Sequence, residues 1–219
     1  DALGIRRYEL AGWEADDLMG TMARRCEEAG MECRLVTGDK DSFQLITEHS
    51  HVVHIKTRMG ASETIEYEPA RFREEYGFEP VKMVDLKALM GDSSDNISGV
   101  PGIGEKGAVA IISRWHSIEN AYAHIEEVEP KRAREALREH YPEAEFSKKL
   151  VTIVTDAPVD EAWIDCRLGH IYTPEAYALV KGYGLKAISA RFAKHMDAAA
   201  GEAAIAALGG GISAAASGS

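Results

Sequence analysis

One segment restricts the fold more than any other, the turn-rich stretch from residue 91 to 104, which reads GDSSDNISGVPGIG. Glycine, serine, asparagine and aspartate at this density interrupt any regular helix or strand. Before this stretch, short β-branched and apolar runs alternate with helical patterns, and after it the patterns are helical. We therefore predict the α/β class, with a mainly parallel sheet flanked by helices and followed by a helical module.

The change of pattern also gives the predicted domains. We expect an α/β core over residues 1–91, a helix-hairpin-helix and helical region over 92–195, and a linker or disordered tail over 196–219, where alanine, glycine and serine dominate. Periodicity and breakers predict strands at 31–37, 51–56 and 63–67, the last two joined by a turn at Gly60. Helices are predicted at 14–30, 69–77, 80–91, 105–115, 117–128, 131–141, 146–155 and 174–194.

Charge excludes one class of protein. The 219 residues include 25 Lys and Arg and 36 Asp and Glu, for a formal net charge of −11. A uniformly basic domain that coats phosphates is therefore excluded, whereas a protein whose acids surround metal ions is not. No apolar run approaches the roughly 18 residues of a membrane helix, so no membrane partner is expected.

Cysteine usage and the first residues indicate the setting of the chain. The three cysteines lack CxxC spacing and no secretory signal is visible, which predicts reduced thiols in the cytoplasm. The sequence begins at Asp1 without a methionine, which suggests a fragment of a longer protein.

Acidic residues form three clusters with a shared placement. The first heads a predicted helix, the second follows a predicted strand, and the third lies in the turn-rich segment: Glu14, Asp16 and Asp17; Asp39 and Asp41; Asp92 and Asp95. Singly, each has a structural explanation, since acids favour a first helical turn and aspartate favours tight turns. Jointly, they point to the carboxyl edge of the sheet, where α/β proteins bind ligands.

Seven carboxylates at one edge would repel one another and raise their pKa values unless cations lie among them. Oxygen ligands without histidine or cysteine favour Mg²⁺ or Mn²⁺ over zinc. Two such ions form the centre that hydrolyses phosphodiesters in many nucleases. We therefore expect two Mg²⁺ ions, with Mn²⁺ able to substitute.

A glycine hairpin is the second chemical feature. Gly99, Gly102 and Gly104 form a GxxGxG loop before an apolar helix, with Lys106 in its first turn. Such a loop offers main-chain amides to phosphate, although a tight helix-helix turn without a ligand would use the same residues. Helix, hairpin, helix is an arrangement that grips duplex backbones without reading bases. Further along, four basic residues alternate with glutamates and indicate a solvated face rather than a DNA-binding stripe: Lys131, Arg132, Arg134 and Arg138.

With these residues in view, the sequence resembles the 5′-nuclease domain at the N-terminus of bacterial DNA polymerase I, a member of the flap endonuclease superfamily. The matching motifs are WEADD at 13–17, TGDKD at 37–41, GDSSDN at 91–96 and GVPGIGEK at 99–106, and the resemblance runs from about residue 4 to 194. It implies a PIN-like 5′-nuclease fold with a helix-three-turn-helix module.

The resemblance also implies roles. It makes all seven acids metal ligands, with Glu14, Asp16 and Asp17 toward one ion and Asp39, Asp41 and Asp95 toward the second. Asp16, Asp39, Asp41 and Asp95 are the predicted catalytic residues. The hairpin would hold duplex DNA, with K⁺ on main-chain carbonyls, through Gly99, Val100, Gly102, Ile103, Gly104 and Lys106.

The family pattern also includes parts that would precede Asp1: a strand that ends in a metal-binding aspartate, a second early aspartate, a helical arch and basic residues for the scissile phosphate. The sequence therefore predicts a structure-specific 5′-3′ exonuclease or flap endonuclease acting on duplex DNA with a 5′ end or 5′ flap, in a protein that can carry a polymerase domain. The alternative is a catalytically incomplete fragment that only binds duplex DNA. A PIN-like ribonuclease is a weaker alternative, since the hairpin argues against it.

Overall fold

The computed structural model describes residues 1–58, 61–160 and 166–196. Its contacts divide the chain into two compact units, one from Leu10 to Val159 and one that combines Asp1–Glu9 with the chain from Asp160 onward. The predicted boundary near residue 91 stays a prediction. The predicted turn at Gly60 and the predicted tail, apart from residue 196, lie outside the described residues.

The larger unit contains three strands and seven helices among its described residues. The strands are β1 (Cys33–Thr37), β2 (Ser50–Arg58) and β3 (Ala61–Tyr67). The helices are α1 (Ala15–Glu28), α2 (Pro69–Tyr76), α3 (Met83–Met90), α4 (Glu105–Trp115), α5 (Ile118–Ala123), α6 (Lys131–Glu139) and α7 (Tyr141–Val151). Single 3₁₀ turns lie at Asp41–Leu45, Pro80–Lys82 and Ile125–Glu127.

The sheet is mixed. β1 and β2 are parallel, with Leu35 opposite Val52, and β2 and β3 are antiparallel, with Val52 opposite Tyr67. Parallel pairing places the carboxyl end of β1 beside the middle of the longer β2, and the chain turns there into the 3₁₀ segment that holds Asp41. The described sheet is thus less parallel than the sequence predicts, because β3 returns along β2 as a hairpin.

Helix α3 is the centre of the hydrophobic core. Its residues from Met83 to Leu89 are buried, and α4 and α7 pack against it. Within it, the carboxylate of Asp85 is almost fully buried and accepts hydrogen bonds from the Ile118 N–H (3.0 Å) and Lys148 Nζ (2.6 Å). A buried acid with two donors fixes the start of α5 and the side of α7 relative to α3.

The smaller unit is described in residues 1–9, 160 and 166–196. It contains α8 (Pro174–Gly182) and α9 (Lys186–Ala193). Tyr172 packs between two aromatic rings, edge-on to Phe192 and stacked on His195. The Thr173 hydroxyl caps α8 by accepting the Ala176 N–H at 3.1 Å.

Three predicted helices have different limits in the structure. The helix predicted at 174–194 is two helices, because Gly184 adopts a left-handed conformation (φ 68°) that ends the first. The helix predicted at 117–128 gives way to a 3₁₀ turn after Ala123. The one predicted at 146–155 is α7, which begins earlier with Pro142 in its first turn and ends at Val151.

No helix of the described residues is both long enough and apolar enough to cross a membrane.

Two glycines bring the turn-rich segment back onto itself. Gly91 and Gly99 both have positive φ, 75° and 60°, and the Val100 N–H donates to the Leu89 carbonyl at 2.8 Å. A Cβ on Gly99 would lie 2.2 Å from the Gly91 nitrogen, far inside van der Waals contact. Glycine is therefore required at Gly99 by close main-chain approach as well as by its dihedral angle.

Gly99→Ala is expected to lower the free energy of unfolding by about 2–4 kcal/mol, because the new methyl group must displace the main chain at Gly91 and adopt a left-handed conformation. Urea denaturation followed by circular dichroism measures the change. Gly104→Ala is the matched control in the same hairpin, since a Cβ there meets nothing within 4 Å. Equal stability of the two variants would contradict the close approach.

Candidate metal centre

The first acid cluster lies at the start of α1. Asp17 has a structural task, since its Oδ2 accepts the Glu14 N–H (3.3 Å) and its Oδ1 accepts the Val154 N–H (2.9 Å). The first bond closes the helix N-terminus in the manner of a capping box. The second ties residues 152–157, which we call the strap, to the same helix end.

The second cluster follows β1. Asp39 Oδ1 accepts the Asp41 N–H at 2.9 Å, and the Ser42 hydroxyl donates to the Asp39 carbonyl at 2.8 Å. This is the turn chemistry expected of aspartate, and it starts the 3₁₀ turn at Asp41–Leu45. The turn explanation and the ligand explanation of Asp39 are therefore compatible, because the turn uses only one carboxylate oxygen.

Gln44 joins this turn to the strap. Its Nε2 donates to the carbonyls of Asp41 (3.0 Å) and Val151 (2.9 Å), and its Oε1 accepts the Ile153 N–H (2.9 Å). The strap can lie close to α1 because residue 20 is a glycine. A Cβ at this position would lie only 2.7 Å from Ile153 Cγ2. Three polar bonds from one side chain thus fix the wall of the site.

The third cluster lies directly after α3. Main-chain hydrogen bonds between Asp92 and Ile97 close the loop (2.9 and 2.7 Å), and Asp92 Oδ1 accepts the Ser94 N–H (2.9 Å). Asp92 Oδ2 accepts from Lys87 Nζ at 2.6 Å. These donors hold the pKa of Asp92 at about 2, with Lys87 as the largest cause.

The structure brings all seven predicted acids together. A pocket of about 340 Å³ is lined by six of them and by the end of α7 and the start of the strap, and no Lys or Arg is among its lining residues: Glu14, Asp16, Asp17, Asp39, Asp41 and Asp95. Asp92, the seventh acid, lies beside this pocket, because carboxylate oxygens of Asp41, Asp92 and Asp95 all lie within 4.8 Å of one another.

The pKa of Asp16 reflects the crowding of these acids. Burial raises its pKa, and the negative charges of Asp39, Glu14, Asp17 and Asp95 raise it further. Acids from three separate segments therefore repel the same carboxylate. Such repulsion is relieved by a divalent cation, and the oxygen-only donor set fits Mg²⁺ or Mn²⁺.

Lys87 is a residue of the site that the sequence analysis missed. Its ammonium group is buried on α3 and forms ion pairs with both Asp41 and Asp92. The sequence carries a signal for it, because a single lysine interrupts the apolar run MVDLKALM five residues before Asp92. Lys87 supplies one internal positive charge at the edge of the acid cluster.

The hairpin residues separate into two groups. Gly99, Val100 and Ile103 are buried, so Val100 and Ile103 anchor the hairpin in the core. The side chains of Val100 and Ile103 therefore do not face a ligand. The exposed members are Gly102, Gly104 and Lys106, at the N-terminus of α4.

Two family models match the chain in succession. The N-terminal resolvase-like domain of 5′-3′ exonucleases matches residues 1–77, and the C-terminal SAM fold of 5′-3′ exonucleases matches residues 78–173. The chain belongs to the 5′-3′ exonuclease family. The predicted family is therefore confirmed, as is the α/β class with its helical module.

Among curated proteins, DNA polymerase I of Bacillus subtilis strain 168 is 45% identical over 160 residues, which is 73% of this chain and 18% of the relative. The thermostable DNA polymerase I of Thermus filiformis is 41% identical over 160 residues, with the same shares. The chain thus spans 18% of the length of these two relatives.

Solved structures show the same fold. The T5 5′-exonuclease with bound zinc ions has a TM-score of 0.57 and 24% identity, covering 66% of this chain and 51% of its own. The bacteriophage T5 flap endonuclease in a pseudo-enzyme–product complex with DNA and metal ions has a TM-score of 0.58 and 24% identity, covering 68% and 53%. Both structural relatives bind divalent metal ions, and the second binds DNA.

Lys87→Met is expected to lower the free energy of unfolding by about 1–2 kcal/mol at neutral pH without divalent ions. The fall in the pKa of Asp92 from 3.8 to about 2 corresponds to about 2 kcal/mol, and Lys87 is its largest cause, with Ser94 supplying the rest. A carboxyl whose pKa is lower in the folded than in the unfolded state stabilises the fold at pH values above the unfolded-state pKa. This stabilisation is lost as the pH falls to the folded-state pKa. The difference between wild type and variant is therefore expected to shrink between about pH 4 and about pH 2.

Urea unfolding across this pH range measures the difference. Lys56→Met, which removes an exposed charge from β2, is the control. A difference that stays constant down to the pKa of Asp92 would show that Lys87 acts by packing and not by charge.

Proposed function

We propose that this chain hydrolyses phosphodiester bonds of duplex DNA at a 5′ end or a 5′ flap, as the nuclease part of a DNA polymerase I. The observation that carries the proposal is the meeting of acids from three segments in one pocket, together with the Asp41, Asp92 and Asp95 oxygens within 4.8 Å. Family membership supplies the reaction class, and the placement of the side chains supplies the site.

Two Mg²⁺ ions, or Mn²⁺ in their place, are the proposed cofactors. Glu14, Asp16 and Asp17 lie at the start of α1 and would serve one ion. Asp39, Asp41 and Asp95 would serve the second, with Asp92 beside them. When bound, such ions lower the pKa of water and neutralise charge on phosphate oxygens. The chain's own part is to hold the carboxylates in place, which it does through the Asp39 turn, the Gln44 bonds and the Lys87 ion pairs.

Asp17 and Asp92 contribute mainly by position. Both oxygens of Asp17 accept main-chain N–H groups, and both oxygens of Asp92 have donors within the loop or on α3. Carboxylates used in this way orient the neighbouring acids and contact an ion through water. Asp16, Asp39, Asp41 and Asp95 remain the proposed catalytic residues.

The hairpin is the proposed grip on duplex DNA. Gly102 and Gly104 expose main chain at the start of α4, whose first-turn N–H groups have no partners within the helix. Lys106 adds a positive charge there. From the family resemblance we include a K⁺ ion on main-chain carbonyls of the hairpin, and we place the protein in the bacterial cytosol.

Asp39→Asn is expected to reduce cleavage of a 5′-flap duplex in Mg²⁺ by about 100-fold or more. The substitution removes one negative charge from the proposed ligands of the ion that stabilises the phosphate. Duplex binding in Ca²⁺ is expected to stay within a factor of about two of wild type. Single-turnover cleavage and fluorescence anisotropy measure the two quantities. Glu63→Gln, on exposed β3, is the control.

Wild-type activity in Asp39→Asn would refute the metal assignment. A wild-type chain that binds the flap duplex but cuts it in neither Mg²⁺ nor Mn²⁺ would instead establish the alternative, a DNA-binding module without catalysis.

Mg²⁺ alone is expected to stabilise the fold. At about 100 times its dissociation constant an ion adds about 2.7 kcal/mol, which corresponds to a rise in Tm of about 5–10 °C for a chain of this size. Thermal melting with Mg²⁺ against NaCl at equal ionic strength measures the rise. Its absence in wild type, or its persistence in Asp39→Asn, would contradict a carboxylate site for the ion.

A further inference from the structure

A second helix contributes to the surface beside the glycine hairpin. A cavity of about 400 Å³, which we call the hairpin groove, is bounded on one side by the hairpin and first turn of α4 and on the other by the start of α6. Its charged lining residues are Glu105, Lys106 and Arg132. The two sides of the groove therefore each carry one basic residue, Lys106 and Arg132.

The basic residues of α6 are not equivalent. Arg138 is paired with Glu126 (2.6 Å) and Glu135 (2.9 Å), and Arg134 donates to the Glu126 carbonyl at 2.7 Å. These two are partly buried and are paired within the protein. Arg132, by contrast, makes no hydrogen bond or ion pair within the part of the chain that the structure describes.

Arg132 is directed toward the hairpin. A Cβ built on Gly102 would lie 3.5 Å from Arg132 Nη2 and 3.6 Å from its Nε, so the guanidinium lies against the exposed tip. Gly102 has φ 87° and no side chain, which lets the guanidinium approach the main chain. An unpaired arginine held at such a place keeps all of its N–H donors available for an outside acceptor.

We propose that Arg132 binds a DNA backbone phosphate in the hairpin groove, together with Lys106, so that the grip on the duplex has one cation from α4 and one from α6. The inference rests on the proposed function, since it names a further contact for the same DNA.

The chemistry of the groove favours a phosphodiester. A guanidinium offers parallel N–H donors that match two phosphate oxygens, and the free N–H groups at the start of α4 add partial positive charge. Because the chain has a net charge of −11, unpaired cations are needed wherever it holds a polyanion. Arg132 and Lys106 on one groove meet that need, whereas Arg134 and Arg138 are neutralised by glutamates.

The test compares four single variants and one double variant of the full chain. Binding of a short labelled duplex is measured by fluorescence anisotropy over a range of KCl without divalent ions, so that the metal centre does not contribute. Arg132→Ala is expected to weaken binding about tenfold at low salt and to lower the slope of log K against log salt by about one, as is Lys106→Ala. The double variant is expected to lower the slope by about two.

Arg138→Ala is the matched control, since it removes the same side chain from the same helix but from an ion-paired position. Its binding and slope are expected to equal those of wild type. Arg132→Lys is expected to keep the slope and lose part of the affinity, because it retains the charge without the paired donors. Thermal melting confirms that each variant is folded.

The outcomes separate two failures. If Lys106→Ala weakens binding but Arg132→Ala behaves like Arg138→Ala, the assignment of Arg132 is wrong and the proposed hairpin grip stands. If wild type does not bind the duplex, or if neither Lys106→Ala nor Arg132→Ala changes the slope, the DNA-binding part of the proposed function is wrong as well.

Discussion

Mutual repulsion among carboxylates is the constraint that the rest of the structure has to satisfy. Six acids from the start of α1, the end of β1 and the loop after α3 line one pocket, and Asp92 lies beside Asp41 and Asp95. The pKa of Asp16 is raised by burial and by its acidic neighbours. The fold reduces the repulsion by partial neutralisation. Lys87 pairs with Asp41 and Asp92, and main-chain N–H groups bond Asp17, Asp39 and Asp92. The remaining negative charge is what a divalent ion would bind.

Helix α3 gives this arrangement a rigid base. It is buried along nearly its whole length, and its internal Asp85 binds α5 and α7 through hydrogen bonds. Lys87 therefore rises from the core rather than from the surface, which fixes its ammonium group beside the acids. The strap reinforces the opposite wall, since Gln44, Thr21 and Asp17 each accept one of its main-chain N–H groups.

The sequence was sufficient to predict that these acids lie close together, because they are of one chemical type and follow recognisable breakers. The GDKDS and GDSSDN turns and the acids at the start of α1 identify the acidic residues. The same motifs indicate which helix or strand end each acid lies near. Lys87, Gln44 and Arg132 were not predicted as parts of sites, because their roles depend on which long-range partner they meet. Arg132 and Arg138 look alike in sequence, and only the positions of Glu126 and Gly102 distinguish them.

Some helix ends could likewise be predicted from the sequence, and others could not. Proline in the first turn correctly placed the starts of α2 and the 3₁₀ turn before α3. The end of α7 and the break between α8 and α9 were not predicted. After α7 the chain bonds to Gln44 of the 3₁₀ turn and packs against Gly20 of α1. Between α8 and α9 the left-handed conformation of Gly184 ends the first helix.

The contact between Gly91 and Gly99 has a geometric consequence. It closes the loop that carries Asp92 and Asp95 and at the same time sets the first residue of the hairpin, with no room for a methyl group in between. If a duplex is held at the hairpin and cut at the acids, this pair of glycines fixes the distance between the two places. The number of nucleotides between grip and scission is then a property of the main chain, and lengthening the loop by even one residue would alter the register of the cut.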